Sequence, residues 1–119
     1  MFEEIRLATY IQKVSLGDPT ALPVKDVLKM ATSNGGKALG FNDIGILSEG
    51  MQADMVVLNT HKASWYPKFN MSSAIVYSAS SADVESVIVR GKFLMKNKEL
   101  LTIDEERVIS EVEKWTKSI

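Results

Sequence analysis

The middle third of the sequence reads Gly45-Ile46-Leu47-Ser48-Glu49-Gly50-Met51-Gln52-Ala53-Asp54-Met55-Val56-Val57-Leu58. Met55 to Leu58 forms an apolar run that predicts a short strand. Because this run is apolar on both faces, we expect it to be covered on both sides. Ile46-Leu47 predicts another short strand, joined to the first around a turn at Glu49-Gly50.

A hairpin is predicted further along the chain, at Val84-Glu85-Ser86-Val87-Ile88-Val89-Arg90-Gly91-Lys92. Val84 to Val89 predicts one strand and Lys92 to Met95 the next. Arg90-Gly91 has the right length for a two-residue turn between them. Gly91 supplies the positive φ that such turns demand.

Before residue 44 the apolar residues recur with helical spacing. The first helix is predicted to carry one broad apolar face, made of Phe2, Ile5, Leu7, Ala8, Ile11 and Val14. A second stripe has the same spacing and consists of Val24, Val27, Leu28 and Ala31. We expect Thr32 to Gly36 to break this second helix, a short helical piece to reach Leu39, and Gly40 to end it.

The remainder of the chain predicts a connection and two more helical segments. Residues 59 to 70 show neither the helical nor the strand spacing of apolar residues, which indicates a long connection. Met71 to Tyr77 indicates a helical turn. Thr102 stands three residues before Glu105, which is the spacing of a capping box at the start of a final helix. The apolar face of that helix consists of Val108, Val112, Trp115 and Ile119.

Composition limits the class of protein. With 119 residues, 45% hydrophobic and 24% charged, the chain fits one globular domain. A formal net charge of −1 provides no large basic field, which argues against nucleic acid and membrane surfaces as partners. The absence of cysteine rules out disulfides and thiolate metal sites. No apolar run is long enough to span a membrane and the start of the chain is acidic, so we expect a cytoplasmic protein.

The sequence offers few candidates for chemistry. His61 is the single histidine, and a hydrolytic zinc site would need it together with two carboxylates from distant segments. We interpret His61 as a loop residue, and Asp54 as a carboxylate that accepts backbone N–H groups in a turn. Gly35-Gly36-Lys37 fails the phosphate-loop pattern because Ala38 follows the lysine. We therefore predict no catalytic, cofactor-binding or metal-binding residue in this chain.

The carboxylates and large aromatic residues receive structural interpretations. Carboxylates on the predicted helices are interpreted as solvated faces, namely Glu3, Glu4, Asp104, Glu105, Glu106, Glu111 and Glu113. Trp65, Tyr66 and Trp115 are interpreted as core or interface aromatics, because no basic stripe accompanies them.

Seven runs, taken in order, resemble the C-terminal end of the amidohydrolase superfamily. The resemblance is to the cytosine-deaminase-like branch that holds methylthioadenosine/S-adenosylhomocysteine deaminases and triazine chlorohydrolases. It covers essentially the whole chain, and the matching runs lie at residues 1–8, 18–23, 30–40, 45–58, 75–77, 84–91 and 100–105.

The resemblance implies a fold class and a division of the chain. The expected fold is α+β, with the last helices of a (β/α)₈ barrel at residues 1–40. The C-terminal part of a small β-sandwich is expected at 44–95, and a final helix at 102–119. Such enzymes bind a divalent metal, zinc or iron, that activates water for attack on a ring carbon bearing an amino group or chloride. The family pattern implies that all metal ligands lie upstream of Met1.

Three hypotheses follow. The first is that the chain is the C-terminal portion of a metal-dependent amidohydrolase, cut just upstream of its first helix and inactive alone. The second is a stand-alone structural or protein-interaction module with the same fold, and the third is a small hydrolase that uses His61. The expected partners are the missing barrel segment and further copies of the chain, which would cover the open strand edges and the apolar helix face.

Overall fold

A computed structural model describes residues 1–117. Helix α1, Phe2–Leu16, confirms the first predicted helix. Glu3 and Glu4 lie in its first turn and Lys13 in its last turn, an arrangement that complements the helix dipole. Gly17 ends the helix in the left-handed conformation, with φ of 60°.

The second helical segment continues where the sequence predicted a break. Helix α2, Val24–Lys29, leads through a π-helical turn at Met30–Asn34 into helix α3, Gly35–Ala38. The prediction of a break was wrong because Gly36 has a packing role here: a Cβ atom on it would lie 2.9 Å from Cγ1 of Ile44. The segment ends, as predicted, at Gly40, which has φ of 83°.

A four-stranded antiparallel sheet follows, in the order β1-β2-β3-β4. Its strands are β1 at Met55–Leu58, β2 at Val84–Val89, β3 at Lys92–Lys96 and β4 at Glu99–Leu100. Strand β1 pairs with β2 in a register that places Met55 opposite Ile88. Arg90 and Gly91 both adopt positive φ, 50° and 73°, which confirms the predicted two-residue turn.

Two predictions about the region around β1 were wrong. Ile46-Leu47 does not form a strand but belongs to an irregular segment in which Gly45 packs against the backbone of Thr32. In the part of the chain that the structure describes, β1 is an edge strand that pairs with β2 alone. Its Val56 and Val57 are 55% and 43% exposed, so β1 is not covered on both sides.

The connection after β1 returns the chain to the helices. A 3₁₀ turn at Ala63–Trp65 leads to helix α4, Met71–Tyr77, which confirms the predicted helical turn. The side chain of Asn70 caps α4 by accepting a hydrogen bond from Ser73 N, 2.9 Å away. Ile5 of α1, Val27 of α2 and Val76 of α4 form the buried core.

Helix α5, Glu105–Thr116, has a different cap from the one predicted. Asp104 is the N-cap residue, and its Oδ1 accepts a hydrogen bond from Arg107 N at 2.9 Å. The Thr102 capping box was therefore wrong, because the helix begins too late for Thr102 to reach it. The face carrying Val108 and Val112 is exposed, and Ile119 lies outside the described residues.

The overall dimensions are those of an open molecule. The radius of gyration is 17.7 Å, whereas about 13.5 Å is expected for a compact domain of this length. The accessible surface is 8937 Å², against about 6,400 Å² for a compact monomer of this mass. The mixture of helices and one antiparallel sheet confirms the α+β class, and the three predicted domain ranges stay a prediction. None of the helices in residues 1–117 is long and apolar enough to cross a membrane.

Candidate functional site

His61 lies in the exposed connection that follows β1. Its backbone N–H donates a 2.9 Å hydrogen bond to Oδ1 of Asn59, which shapes the turn there. Within residues 1–117 no three histidine, aspartate or glutamate side chains converge on a point where they could hold a metal ion. The described residues therefore do not fit the divalent metal that the resemblance implies for the whole enzyme.

Asp54 joins the segment before β1 to the β2–β3 hairpin. Its Oδ1 accepts a 2.7 Å hydrogen bond from Arg90 N, so the predicted acceptance of a backbone N–H is confirmed. Nε of Arg90 donates to Oε1 of Gln52 at 2.9 Å, and Nε2 of Gln52 donates to Oδ2 of Asp43 at 2.7 Å. These contacts hold the hairpin turn against the irregular segment and give Asp54 a structural role.

Asp83 is the most buried carboxylate among the described residues, with 2% of its surface exposed. Its Oδ1 accepts a 2.5 Å hydrogen bond from Nζ of Lys62, and its Oδ2 accepts one of 2.9 Å from Ser80 N. The Lys62 hydrogen bond is the main cause that lowers the pKa of Asp83, and the Ser80 bond contributes next. Burial opposes this shift.

The surroundings of Asp83 make it a structural anion. Ser80 and Asp83 form a capping box at the 3₁₀ turn Ser81–Asp83, and Lys62 also donates to the carbonyl of Ala82 at 3.0 Å. Both carboxylate oxygens already accept internal hydrogen bonds, so the group is poorly placed to act as a general base. This cluster was not predicted from the sequence, although Ser80-x-x-Asp83 has the spacing of a capping box.

The polar side chains of α1 tie this helix to α4. The guanidinium of Arg6 donates to the carbonyl oxygens of Val76, at 3.2 Å, and Ala79, at 2.6 Å. The first carbonyl lies in the last turn of α4 and the second just beyond its end, where a cation is favourable. Nζ of Lys13 donates to the hydroxyl of Tyr77 at 3.1 Å.

An aromatic cavity of about 310 Å³ lies between the 3₁₀ turn Ala63–Trp65 and α4; we call it the Trp65 cavity. Its lining consists of Ser64, Trp65, Tyr66, Pro67, Phe69, Asn70, Ser73, Ala74, Tyr77 and Ser78. Trp65 is 1% exposed, which agrees with its interpretation as a core aromatic, whereas Phe69 is 91% exposed. The indole Nε1 of Trp65 is buried and has no hydrogen-bond partner.

Much of the apolar face of α1 is uncovered. Ile5 and Thr9 are buried, but Leu7 and Ile11 are each 57% exposed and Val14 is 83% exposed. The carboxylates interpreted as solvated faces are all exposed, as predicted. The surface of the chain thus combines polar groups engaged in structural hydrogen bonds with apolar groups that have no cover.

Comparison with known proteins gives a consistent result. A sequence model described as the amidohydrolase family matches residues 1–94. The chain is 47% identical over 114 residues to a 5-methylthioadenosine/S-adenosylhomocysteine deaminase of Dictyoglomus thermophilum. This alignment covers 96% of the chain and 27% of the relative. It is 50% identical over 111 residues to a 5′-deoxyadenosine deaminase of Methanosarcina acetivorans. This second alignment covers 93% of the chain and 26% of the relative.

Solved structures show the same likeness. An adenosine deaminase from Xanthomonas campestris with bound zinc superimposes with a TM-score of 0.92 at 32% identity, over 99% of this chain and 27% of that one. An atrazine chlorohydrolase from Arthrobacter aurescens complexed with zinc superimposes with a TM-score of 0.84 at 24% identity, over 96% of this chain and 26% of that one. The second likeness concerns the fold alone. The chain spans 26% to 27% of the length of these four proteins.

Proposed function

The chain belongs to the amidohydrolase family, and we propose that it forms the C-terminal portion of a metal-dependent deaminase of adenine nucleosides. The single observation that carries this proposal is the 47% identity to a methylthioadenosine/S-adenosylhomocysteine deaminase over nearly the whole chain. The 5′-deoxyadenosine deaminase at 50% identity supports the same substrate class, adenine nucleosides modified at the 5′ position. The reaction would be attack of water on the ring carbon that bears the amino group, with release of ammonia.

In this proposal the chain occupies the end of a composite fold. Helices α1 to α3 would be the last helices of a (β/α)₈ barrel, the sheet β1–β4 would be the C-terminal part of a small β-sandwich, and α5 would close it. The TM-score of 0.92 with the Xanthomonas deaminase over 99% of the chain supports this placement. Chlorohydrolysis is a weaker alternative, because the likeness to the chlorohydrolase concerns the fold alone.

The proposed contribution of the chain is scaffold and not chemistry. The sequence contains one histidine and no cysteine, whereas hydrolytic zinc sites typically use three protein ligands and keep one open position. Asp54 and Asp83 are committed to structural hydrogen bonds. The zinc or iron of the whole enzyme would be held by the remaining part of the protein.

Complementation tests the proposed function directly. The chain is co-expressed with the remaining part of the Dictyoglomus thermophilum relative, and ammonia release is measured with 5′-deoxyadenosine and with methylthioadenosine. We expect turnover from the co-purified pair, none from the chain alone, and no change on His61→Ala.

Two outcomes would contradict the proposal. Turnover by the chain alone that His61→Ala abolishes would make it a small hydrolase. A stable, zinc-loaded pair that releases no ammonia from either nucleoside would favour the stand-alone interaction module.

A further inference from the structure

We propose that Asn34 is a site of spontaneous deamidation, and that local opening of the π-helical turn Met30–Asn34 sets the rate of this modification. The reaction converts the side-chain amide of Asn34 to a carboxylate. It concerns the backbone and side chains of this chain alone, so it goes beyond the proposed function and does not depend on it.

The residue that follows Asn34 makes it chemically vulnerable. Asparagine is a thermolabile residue, and Asn34 is the only one of the five asparagines in the sequence that precedes a glycine. Gly35 has no Cβ atom, so little hinders the approach of its backbone nitrogen to the side chain before it. Asn34 is exposed and its side chain makes no capping hydrogen bond to α3, which leaves its amide carbon open to attack.

The modification consumes one water molecule and releases ammonia. Hydroxide removes the proton from the backbone N–H of Gly35, and the nitrogen attacks Cγ of Asn34. A C–N bond forms, and the side-chain amide group takes a proton from water and leaves as ammonia. Water then adds to one of the two carbonyl carbons of the succinimide ring. The ring opens to an aspartate or to an isoaspartate at position 34, and the isoaspartate adds one carbon atom to the main chain.

The folded turn opposes both early steps. The backbone N–H of Gly35 donates to the carbonyl of Thr32, so the proton that must be removed is held in a hydrogen bond. Closing a five-membered ring requires Cβ, Cα and C of Asn34 to lie nearly in one plane with the nitrogen of Gly35. The helical ψ of −38° at Asn34 turns this nitrogen out of that plane. Deamidation therefore requires the turn to open.

The segment around Asn34 has the features of a region that opens locally. Helix α3 consists of four residues, Gly35–Ala38, and two of them are glycines, which disfavour a helix. Gly36 is the buried residue of α3, and the π-helical turn before it has none. Regions with few buried apolar contacts open at a lower free energy than the whole protein. Opening of this turn therefore does not require unfolding of the core.

Gly45 controls how firmly the turn is held. A Cβ atom added to Gly45 would lie 2.7 Å from the carbonyl oxygen of Thr32. The same oxygen accepts the hydrogen bond from the backbone N–H of Gly35. Gly45→Ala must displace this carbonyl, because a Cβ atom does not fit beside it. The substitution should therefore weaken the hydrogen bond that protects the reacting nitrogen.

The test follows deamidation of the 119-residue chain at mildly alkaline pH. Mass spectrometry of proteolytic peptides measures the reaction at each asparagine, and chromatography separates aspartate from isoaspartate. In concentrated urea, where the chain is unfolded, we expect Asn34 to react before the other four asparagines. In native buffer Asn34 should react about a hundredfold more slowly than in urea, because only the open turn reacts.

Two glycine variants locate the protection. Gly45→Ala should raise the native rate at Asn34 about tenfold. Gly50→Ala is the matched control, because Gly50 has the same φ of 80° and a Cβ atom added to it has nothing within 4 Å. It carries the same backbone strain but should leave the native rate at Asn34 unchanged. Both variants should react like the wild type in concentrated urea, since neither alters the Asn34–Gly35 pair.

Three results would overturn the proposal. The first is a slow reaction of Asn34 in urea, no faster than that of the other asparagines. The second is an equal rate in native buffer and in urea, which would mean that the turn gives no protection. The third is an equal acceleration by Gly45→Ala and Gly50→Ala, which would assign the opening to global unfolding.

A measurement on the wild type keeps the proposal testable if Gly45→Ala does not fold. Below the urea unfolding transition, the rate at Asn34 should exceed the rate that the globally unfolded fraction supplies. A rate that equals this contribution at every urea concentration would exclude local opening and overturn the proposal.

Discussion

Asp83 shows how a single side chain can hold two segments together. The connection after β1 brings Lys62 to this carboxylate, and Ser80 supplies a backbone N–H from the turn that precedes β2. Lys62 is 43% exposed, so its ammonium keeps part of its hydration while it pairs with a nearly buried anion. Removal of one partner would leave the other charge without its hydrogen bond, which is the change that destabilises a partly buried pair.

Asp83→Asn should lower the free energy of unfolding by about 2 kcal/mol, because it weakens charge-assisted hydrogen bonds to a buried group. Urea denaturation followed by circular dichroism measures this change. The matched control is Glu111→Gln, which removes the exposed ion pair with Arg107 and should cost less than about 0.5 kcal/mol. Equal losses of unfolding free energy in the two variants would contradict the structural role of the Asp83 carboxylate.

The lowered pKa of Asp83 predicts the pH dependence of its contribution. A carboxyl with a lower pKa in the folded state stabilises the protein above the pKa of the unfolded state, near 4, and loses this contribution as pH falls through the folded value. The difference in unfolding free energy between the wild type and Asp83→Asn should stay constant from about pH 5 to 8 and shrink below about pH 4. A difference that grows on acidification would have the wrong sign.

At the level of secondary-structure elements, two glycines with positive φ differ in their surroundings. Gly91, φ 73°, lies in the β2–β3 turn, and a Cβ atom added to it would have nothing within 4 Å. A Cβ atom added to Gly45, φ 80°, would lie 2.7 Å from the carbonyl carbon of Thr32. Gly91→Ala should therefore cost about 1–2 kcal/mol, which is the conformational penalty alone.

Gly45→Ala should cost a further 1–3 kcal/mol, roughly the penalty for overpacking, because the backbone of Thr32 must also move. Thermal denaturation of both variants under the same conditions measures the difference. Similar losses for the two alanines would mean that the segment around Gly45 moves away at little cost.

Particular residues show where sequence reasoning succeeded at this scale. Helices α1 and α4 and the Arg90-Gly91 turn were each predicted correctly. Each depends on residues that lie close together in the sequence, through the spacing of apolar residues or the chemistry of the turn. The break expected at Gly36 and the strand expected at Ile46-Leu47 were wrong. In the structure Gly36 packs against Ile44, and Gly45 packs against the backbone of Thr32. Local preference cannot reveal such a contact.

At the scale of the whole molecule, the open edge of β1 and the face of α1 favour association. We propose that copies of the chain cover one another when the remaining part of the enzyme is absent. Val57 of β1 and Ile11 of α1 are both apolar and about half exposed, and such surfaces pair readily.

Light scattering at micromolar concentrations should therefore show dimers or larger species. Ile11→Lys should shift the chain toward monomer, whereas Gln12→Lys, which adds the same charge on the same helix at an exposed polar position, should not. A strictly monomeric wild type across this concentration range would contradict self-association.

For the candidate sites, as for the fold, local features could be predicted from the sequence and long-range contacts could not. The order of short motifs was enough to identify the family, since each motif reflects a local helix, turn or strand. The hydrogen bond expected of Asp54 was also found. The Asp83–Lys62 pair and the Trp65 cavity were not foreseen, because each joins residues of the long connection to elements that follow it.

The sequence by itself determined the helices, the hairpin and the family, because periodicity, turn chemistry and motif order all act over short distances along the chain. The tertiary structure decided which glycine packs, which carboxylate is buried and which apolar faces stay open. These outcomes depend on the approach of residues far apart in sequence, and on how much of the molecule is present to exclude water from them.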